Sequence, residues 1–311
     1  MHFCHGIGVV LIIAAARGVI LQDDHFVPPR YDILPYNFVF WMHIQKTSSW
    51  LGDTIAVWAC PHILGAFDQA AEDKVSVYST EDFRTTVDLC KVKLFDSYDV
   101  RWGRYGYHVP YIPRQFPRMK HSTVSVFRQP VDRLISAFLF RTGIMIPRGS
   151  VYHTKYYNET ILGAAAAFKR KIRSAPYPIV AYANHSEIPS CQAKMVLGYH
   201  CGSDIAVTAP MIAEAKRRLR EEFLFIGLTE EPHATLHLFH TIFGGMNVGI
   251  NSQIRRNTQH TVEKHDQLVE VLQQHNWSDG ADEEVYHEAA RIFYTQCKKY
   301  GIATVYGNRY E

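Results

Sequence analysis

The sequence predicts an α/β fold built on a central parallel sheet, and three observations carry that expectation. Residues 38–44, 124–127 and 223–227 are apolar runs with the length and content of buried strands. A short polar break follows each run, and each break leads into a stretch whose apolar residues recur at helical spacing. Strand, loop and helix repeated along one chain is the pattern of a parallel sheet covered by helices.

At 311 residues the chain can hold one sizeable α/β domain. A hydrophobic content of 47% with 20% charged residues excludes a disordered chain. The net charge of +3 agrees with anionic partners, and 17 histidines let the charge rise in mild acid.

Residues 1–21 contain the apolar run Gly6 to Ala16, broken by Arg17. That length suits a signal peptide or short signal anchor better than a full spanning helix of ~20 apolar residues, a buried N-terminal helix being the other reading. Residues 22–36, with Pro28, Pro29 and Pro35, read as a linker or stem, so the domain is expected over 37–311.

Within that domain, the first strand exits into Gln45-Lys46-Thr47-Ser48-Ser49, and a helix begins at Trp50. A helix N-terminus has unpaired N–H groups and a favourable dipole, so a loop there can hold an anion, aided by the Lys46 charge and the three hydroxyls. An ordinary strand-to-helix turn capped by Ser or Thr is the alternative. No glycine precedes Lys46 at the spacing of the nucleotide-triphosphate loop. Further on, a short strand is expected near 75–78 and a helix from about residue 80.

Residues 100–128 contain no Asp or Glu, yet Arg101, Arg104, Arg114, Arg118, Lys120 and Arg128 fall there among Trp102, Tyr105, Tyr107 and Tyr111. Guanidinium forks and aromatic rings suit a sulfated or carboxylated sugar chain, nucleic acid would use the same surface, and a solvated basic loop explains it equally. His108 lies inside this stretch. The segment after it, residues 122–138, reads as a strand, an arginine at its exit (Arg128), and a helix with Pro130 in its first turn and Leu134, Ile135 and Phe138 on one face. Helices are also expected over 159–174, 210–222 and 281–300, and after the 223–227 strand through Leu236, Phe239 and Phe243. Six cysteines include no C-x-x-C pair. Cys191 with Cys201 is the leading disulfide pair, Cys60 with Cys90 the second, and Cys297 is left as a free thiol, with small buried hydrophobes as the alternative for all six. Sequons at Asn158, Asn184 and Asn276 agree with a secretory route.

Several of these segments together resemble a known family. The His43-Ile44-Gln45-Lys46-Thr47-Ser48-Ser49 segment resembles the 5′-phosphosulfate loop of Golgi carbohydrate sulfotransferases, and is most similar to that of the heparan sulfate and uronyl 2-O- and 6-O-sulfotransferases. These enzymes use 3′-phosphoadenosine-5′-phosphosulfate (PAPS); the family usually carries Gly or Ala where this chain has Ser48. Arg128-Gln129-Pro130-Val131-Asp132-Arg133-Leu134-Ile135-Ser136 resembles the family's 3′-phosphate motif, R-x-P-x-x-R-x-x-S. His108-Val109-Pro110-Tyr111 is similar to its His-Val-x-Tyr segment, and Phe225-Ile226-Gly227-Leu228-Thr229-Glu230 to its F-x-G-L-x-E element.

The resemblance implies a P-loop-like three-layer fold with a central parallel sheet, and transfer of a sulfuryl group from PAPS to a carbohydrate hydroxyl. It implies His108 as general base and Lys46 at the leaving phosphate. Cofactor contacts would come from Lys46, Thr47, Ser48, Ser49 and Trp50, from Arg128 and Ser136, and from Arg255, Arg256 and Thr258 in a basic loop. Arg101, Arg104, Tyr111 and Lys194 would meet the acceptor, an anionic polysaccharide. No metal and no nucleic acid are expected, and a homo-oligomer is left open. The implied location is the Golgi membrane with a lumenal domain, with secretion as the alternative. The rival functions are a nucleotide-dependent phosphotransferase and a non-catalytic binder of sulfated glycans.

Overall fold

The computed structural model describes residues 28–35, 38–47, 50–59, 92–96, 108–140, 159–245 and 262–307. The expected signal segment, residues 22–27 and 36 of the linker, the strand near 75–78, the following helix and the Cys60 and Cys90 pair lie outside them.

Four strands form one sheet in the order β2-β1-β3-β4: β1 (Phe38–Met42), β2 (Lys93–Asp96), β3 (Thr123–Phe127) and β4 (Phe223–Leu228). Every pairing is parallel, so the expected α/β class with a parallel sheet is present. β1 and β3 are buried on both faces, which is why they read as unbroken apolar runs and not as an alternation. Strand β2 was not expected. Its sequence, Lys93-Leu94-Phe95-Asp96, has only two apolar residues, enough for an edge strand and too few for a periodic signal.

Helices α1 (Trp50–Ala59), α2 (Pro130–Phe138), α3 (Glu159–Arg173) and α4 (Pro178–Ala183) are followed by α5 (Cys191–Leu197) and α6 (Ala209–Glu221). Then come α7 (Pro232–Phe243), α8 (Val262–Gln274) and α9 (Gly280–Lys299). Pro130 opens α2, where its missing N–H costs nothing. Asp279 caps α9 by accepting from Asp282 N at 3.3 Å. The main core lies between the sheet and α1, α5, α6, α7 and α9. A second apolar cluster joins α2 to α3, α4 and α8 through Leu134, Ile135, Ile172, Ile179, Tyr182 and Leu272.

Residues 28–35, expected as part of the stem, pack on the domain. Arg30 N donates to Phe243 O at 2.7 Å, the Tyr31 hydroxyl donates to Trp58 O at 2.8 Å, and Leu34 is buried. Gly244 closes α7 at φ +68°, and a Cβ there would stand 2.2 Å from Pro28 O, so glycine is what admits the passing chain.

The expected Cys191–Cys201 pair is a disulfide spanning a sequence separation of 10, and Cys297 is a buried free thiol. Closing a loop of that size removes denatured-state entropy worth about 3 kcal/mol.

Gly227 in β4 has no room for a side chain. A Cβ would lie 2.3 Å from Thr235 Cγ2, and Thr235 cannot turn away because its Oγ1 is 3.0 Å from both Leu228 N and Leu228 O. A Gly227→Ala protein is expected to lose about 1–3 kcal/mol of stability by overpacking, read as a lower urea midpoint at unchanged slope.

Candidate functional site

Because the strands run the same way, the chain leaves β1, β3 and β4 at one edge of the sheet, and the three exit segments meet there. Thr229 N donates to Phe127 O at 2.9 Å, Thr229 Oγ1 donates to Thr47 O, and Arg128 Nη1 donates to Lys46 O at 3.2 Å. In open α/β sheets such an edge, at the carboxyl ends of the strands, is where ligands bind.

The β1 exit turns sharply at Lys46, which has φ +68°. A non-glycine residue in this left-handed region costs roughly 1–2 kcal/mol, and the bonds from Arg128 and Thr229 hold it there. The Lys46 ammonium sits 4.2 Å from the centre of the Phe140 ring, just beyond α2. Thr47 is buried and its hydroxyl donates to Ile44 O at 2.9 Å, so that proton serves the turn. Ser48 and Ser49 lie outside the described residues. Trp50 is the first residue of α1, whose N-terminus therefore begins at this edge.

His108 comes to the same place from the basic segment. Its Nδ1 is 2.7 Å from His43 O. A carbonyl only accepts, so Nδ1 carries the proton in this bond and the neutral ring keeps its lone pair on Nε2. The His43 and His108 rings lie 4.8 Å apart, and Trp41 stacks on His43 with ring centres 5.7 Å apart. Burial, then the nearby His108 and Lys46, hold the His43 imidazole well below its usual pKa. His43 is therefore neutral at pH 7 and adds no charge beside Lys46.

The β3 exit is clamped by side chains. Gln192 Oε1 accepts from Arg128 N at 3.0 Å, and Gln192 Nε2 donates to Arg128 O at 2.9 Å. Glu230 Oε1 accepts from Gln129 N at 2.8 Å, and the Tyr286 hydroxyl donates to Glu230 Oε2 at 3.3 Å. Burial pushes the Glu230 carboxyl up and pulls the Arg128 guanidinium down, while Arg128 and Glu230 each oppose the other's shift. Ser136 is half-buried on α2, six residues beyond Pro130 and so about 9 Å along the helix axis.

Behind this turn lies a buried charge cluster. The Asp282 carboxylate accepts from Gln192 N at 3.1 Å and Ala193 N at 2.9 Å, and stands 3.6 Å from Arg133 Nε. Asp279 accepts from Ser190 N at 2.7 Å. Lys194 is only 1% exposed, and its ammonium makes no hydrogen bond among the described residues. Burial draws its pKa down, against the pull of Asp282 and Asp279. Burial, with Asp279 beside it, pushes the Asp282 carboxyl up to about 7.

Lys46, Thr47, Trp50, His108 and Arg128 thus share one edge. Two residues expected at the acceptor have interior roles instead: Lys194 belongs to the buried cluster, and Tyr111 is fully buried with its hydroxyl donating to Glu222 Oε2 at 2.6 Å, near the start of β4. Arg101, Arg104, Arg255, Arg256 and Thr258 lie outside the described residues. Gln192, Thr229 and His43 fall in segments that resemble the family, but the sequence assigns none of them a role at the site. Nothing in the residue type or spacing of Gln192 marks it as a partner of Arg128, and His43 carries its role through its backbone oxygen, which a sequence does not single out. Among the described residues no three His, Cys, Asp or Glu side chains gather as a metal site. No protein-family model matches the chain, and no curated protein matches it.

A carboxyl raised in the folded state and ordinary in the unfolded one stabilises the fold below its unfolded pKa and loses that contribution as pH rises through the folded value. The window for Asp282 runs from its ordinary 3.8 to about 7. Wild type is expected to lose stability relative to Asp282→Asn as pH rises across it, measured by urea unfolding of both proteins at several pH values.

Proposed function

We propose that the chain transfers a sulfuryl group from PAPS to a hydroxyl of an anionic carbohydrate. The observation that supports this reading is the convergence at one sheet edge of a lysine turn, a histidine of defined tautomer and a clamped arginine. The described residues at the edge offer positive charge and donors of the kind a nucleotide with two anionic ends would need. Arg128 and Ser136 would hold the 3′-phosphate, and Lys46 with the N-terminus of α1 the phosphosulfate end.

PAPS would supply the sulfuryl group. His108 Nε2 would take the proton of the acceptor hydroxyl as that oxygen forms its bond to sulfur. The sulfur–oxygen bond to the 5′-phosphate would break, and the Lys46 ammonium would stabilise the negative charge left on that phosphate. His43 O, by holding Nδ1–H, keeps the basic nitrogen in the role the transfer needs. Exposed Arg114 and Arg118 supply positive charge along the segment that carries His108, consistent with an anionic acceptor. The Cys191–Cys201 disulfide supports an oxidising compartment of the secretory pathway, with the Golgi lumen as the proposed site.

Calorimetric titration of the full chain with 3′-phosphoadenosine-5′-phosphate and with ATP tests the reading. Preference for the 3′-phosphorylated ligand is expected, with affinity reduced about 10- to 100-fold in Arg128→Ala, the range for losing a charge-assisted hydrogen bond. An absence of binding, or preference for ATP, would sink it and favour phosphotransfer or glycan binding. With labelled PAPS and sulfatable polysaccharides, His108→Ala should transfer about 10²- to 10⁴-fold more slowly than wild type at similar nucleotide affinity. Full activity in that variant would remove His108 as the base.

A further inference from the structure

Arg128 leaves β3 where the sheet ends, and its backbone is met there by an amide side chain. Gln192 is wholly buried. Its Oε1 and Nε2 bond Arg128 N and O at 3.0 and 2.9 Å. A primary amide presents an acceptor and a donor side by side, as an adjacent strand would, so α5 adds one rung of ladder beyond the last strand pairing.

Gln192 is itself held. Its own N–H and that of Ala193 donate to Asp282 on α9, and the preceding Cys191 is joined to Cys201. With its backbone fixed on both sides, Arg128 keeps only side-chain freedom, and its Nη1 reaches the Lys46 carbonyl.

We propose that Gln192 is a specificity-determining positioning residue, which aims Arg128 so that the site selects a nucleotide bearing a 3′-phosphate over the same nucleotide without one. This rests on the PAPS reading above. A guanidinium fork pairs well with phosphate only over a narrow range of positions, so loosening its backbone weakens that contact first. The Lys46 turn keeps its second support from Thr229, and the 5′ end of the ligand is affected far less.

The test is calorimetric titration of the full chain with 3′-phosphoadenosine-5′-phosphate and with adenosine-5′-phosphate, in wild type, Gln192→Met and Gln192→Glu. Met keeps the side-chain length and removes both bonds. Glu is nearly isosteric, so it decides the matter should Met unfold the protein, and it sets a carboxylate oxygen against the Arg128 carbonyl. The expected result is a wild-type preference for the 3′-phosphate that falls at least about tenfold in both variants, with adenosine-5′-phosphate affinity changed less than about twofold. A preference kept at the wild-type ratio, or equal loss for both ligands, overturns the proposal and leaves the PAPS reading standing. Wild type that shows no preference for the 3′-phosphate overturns both.

Discussion

Parallel alignment is the constraint on which the rest of this structure depends. An antiparallel sheet would send successive strand ends to opposite edges; here β1, β3 and β4 all finish on the same one. Lys46, Arg128 and Thr229 come from segments far apart in sequence and are neighbours only because of that direction. Two of those exits lead into helices α2 and α7 that return across the sheet, and α1 follows the third, so the edge is left to loops and helix beginnings.

An edge of this kind has an inherent difficulty. The ladder stops, and the peptide groups beyond it are partly buried without strand partners. Side chains make good the deficit: Gln192 for Arg128, Glu230 for Gln129, Ser125 for Met42 O at 2.8 Å, and Thr229 for Thr47 O. Each of these side chains bonds a backbone group at the edge. Lys46, Arg128 and His108 stand at this edge among the described residues, on a frame that loses little further freedom when it is used.

Three of the four strands were legible as unbroken apolar runs because both their faces are buried, and most helices because their burial is periodic. Strands β1, β3 and β4 and helices α1, α2, α3, α6, α7 and α9 fall close to their expected spans, and the Cys191–Cys201 pair is bonded as expected. The site was legible where a residue's chemistry is unusual for its place, as with Lys46 and Arg128 at strand exits. It was illegible where the role comes from contact across the fold. Gln192 meets Arg128 across 64 positions, and His108 meets His43 across 65. Tyr111 shows the opposite failure. An aromatic residue in a basic stretch reads as a sugar platform, yet its ring is fully buried and its hydroxyl is spent on Glu222.

The packing of residues 28–31 also sets the direction in which the molecule presents itself. Arg30 and Tyr31 bond Phe243 and Trp58, the last turns of α7 and α1. Both helices start near the Lys46 edge and run about 15–18 Å from it, given ten and twelve residues at 1.5 Å each. Pro28, which passes against Gly244, therefore lies at the end of these helices remote from the site. The lysine turn and the point where residue 28 packs thus stand at opposite ends of the same two helices, so a change at one is separated from the other by the full length of α1 and α7.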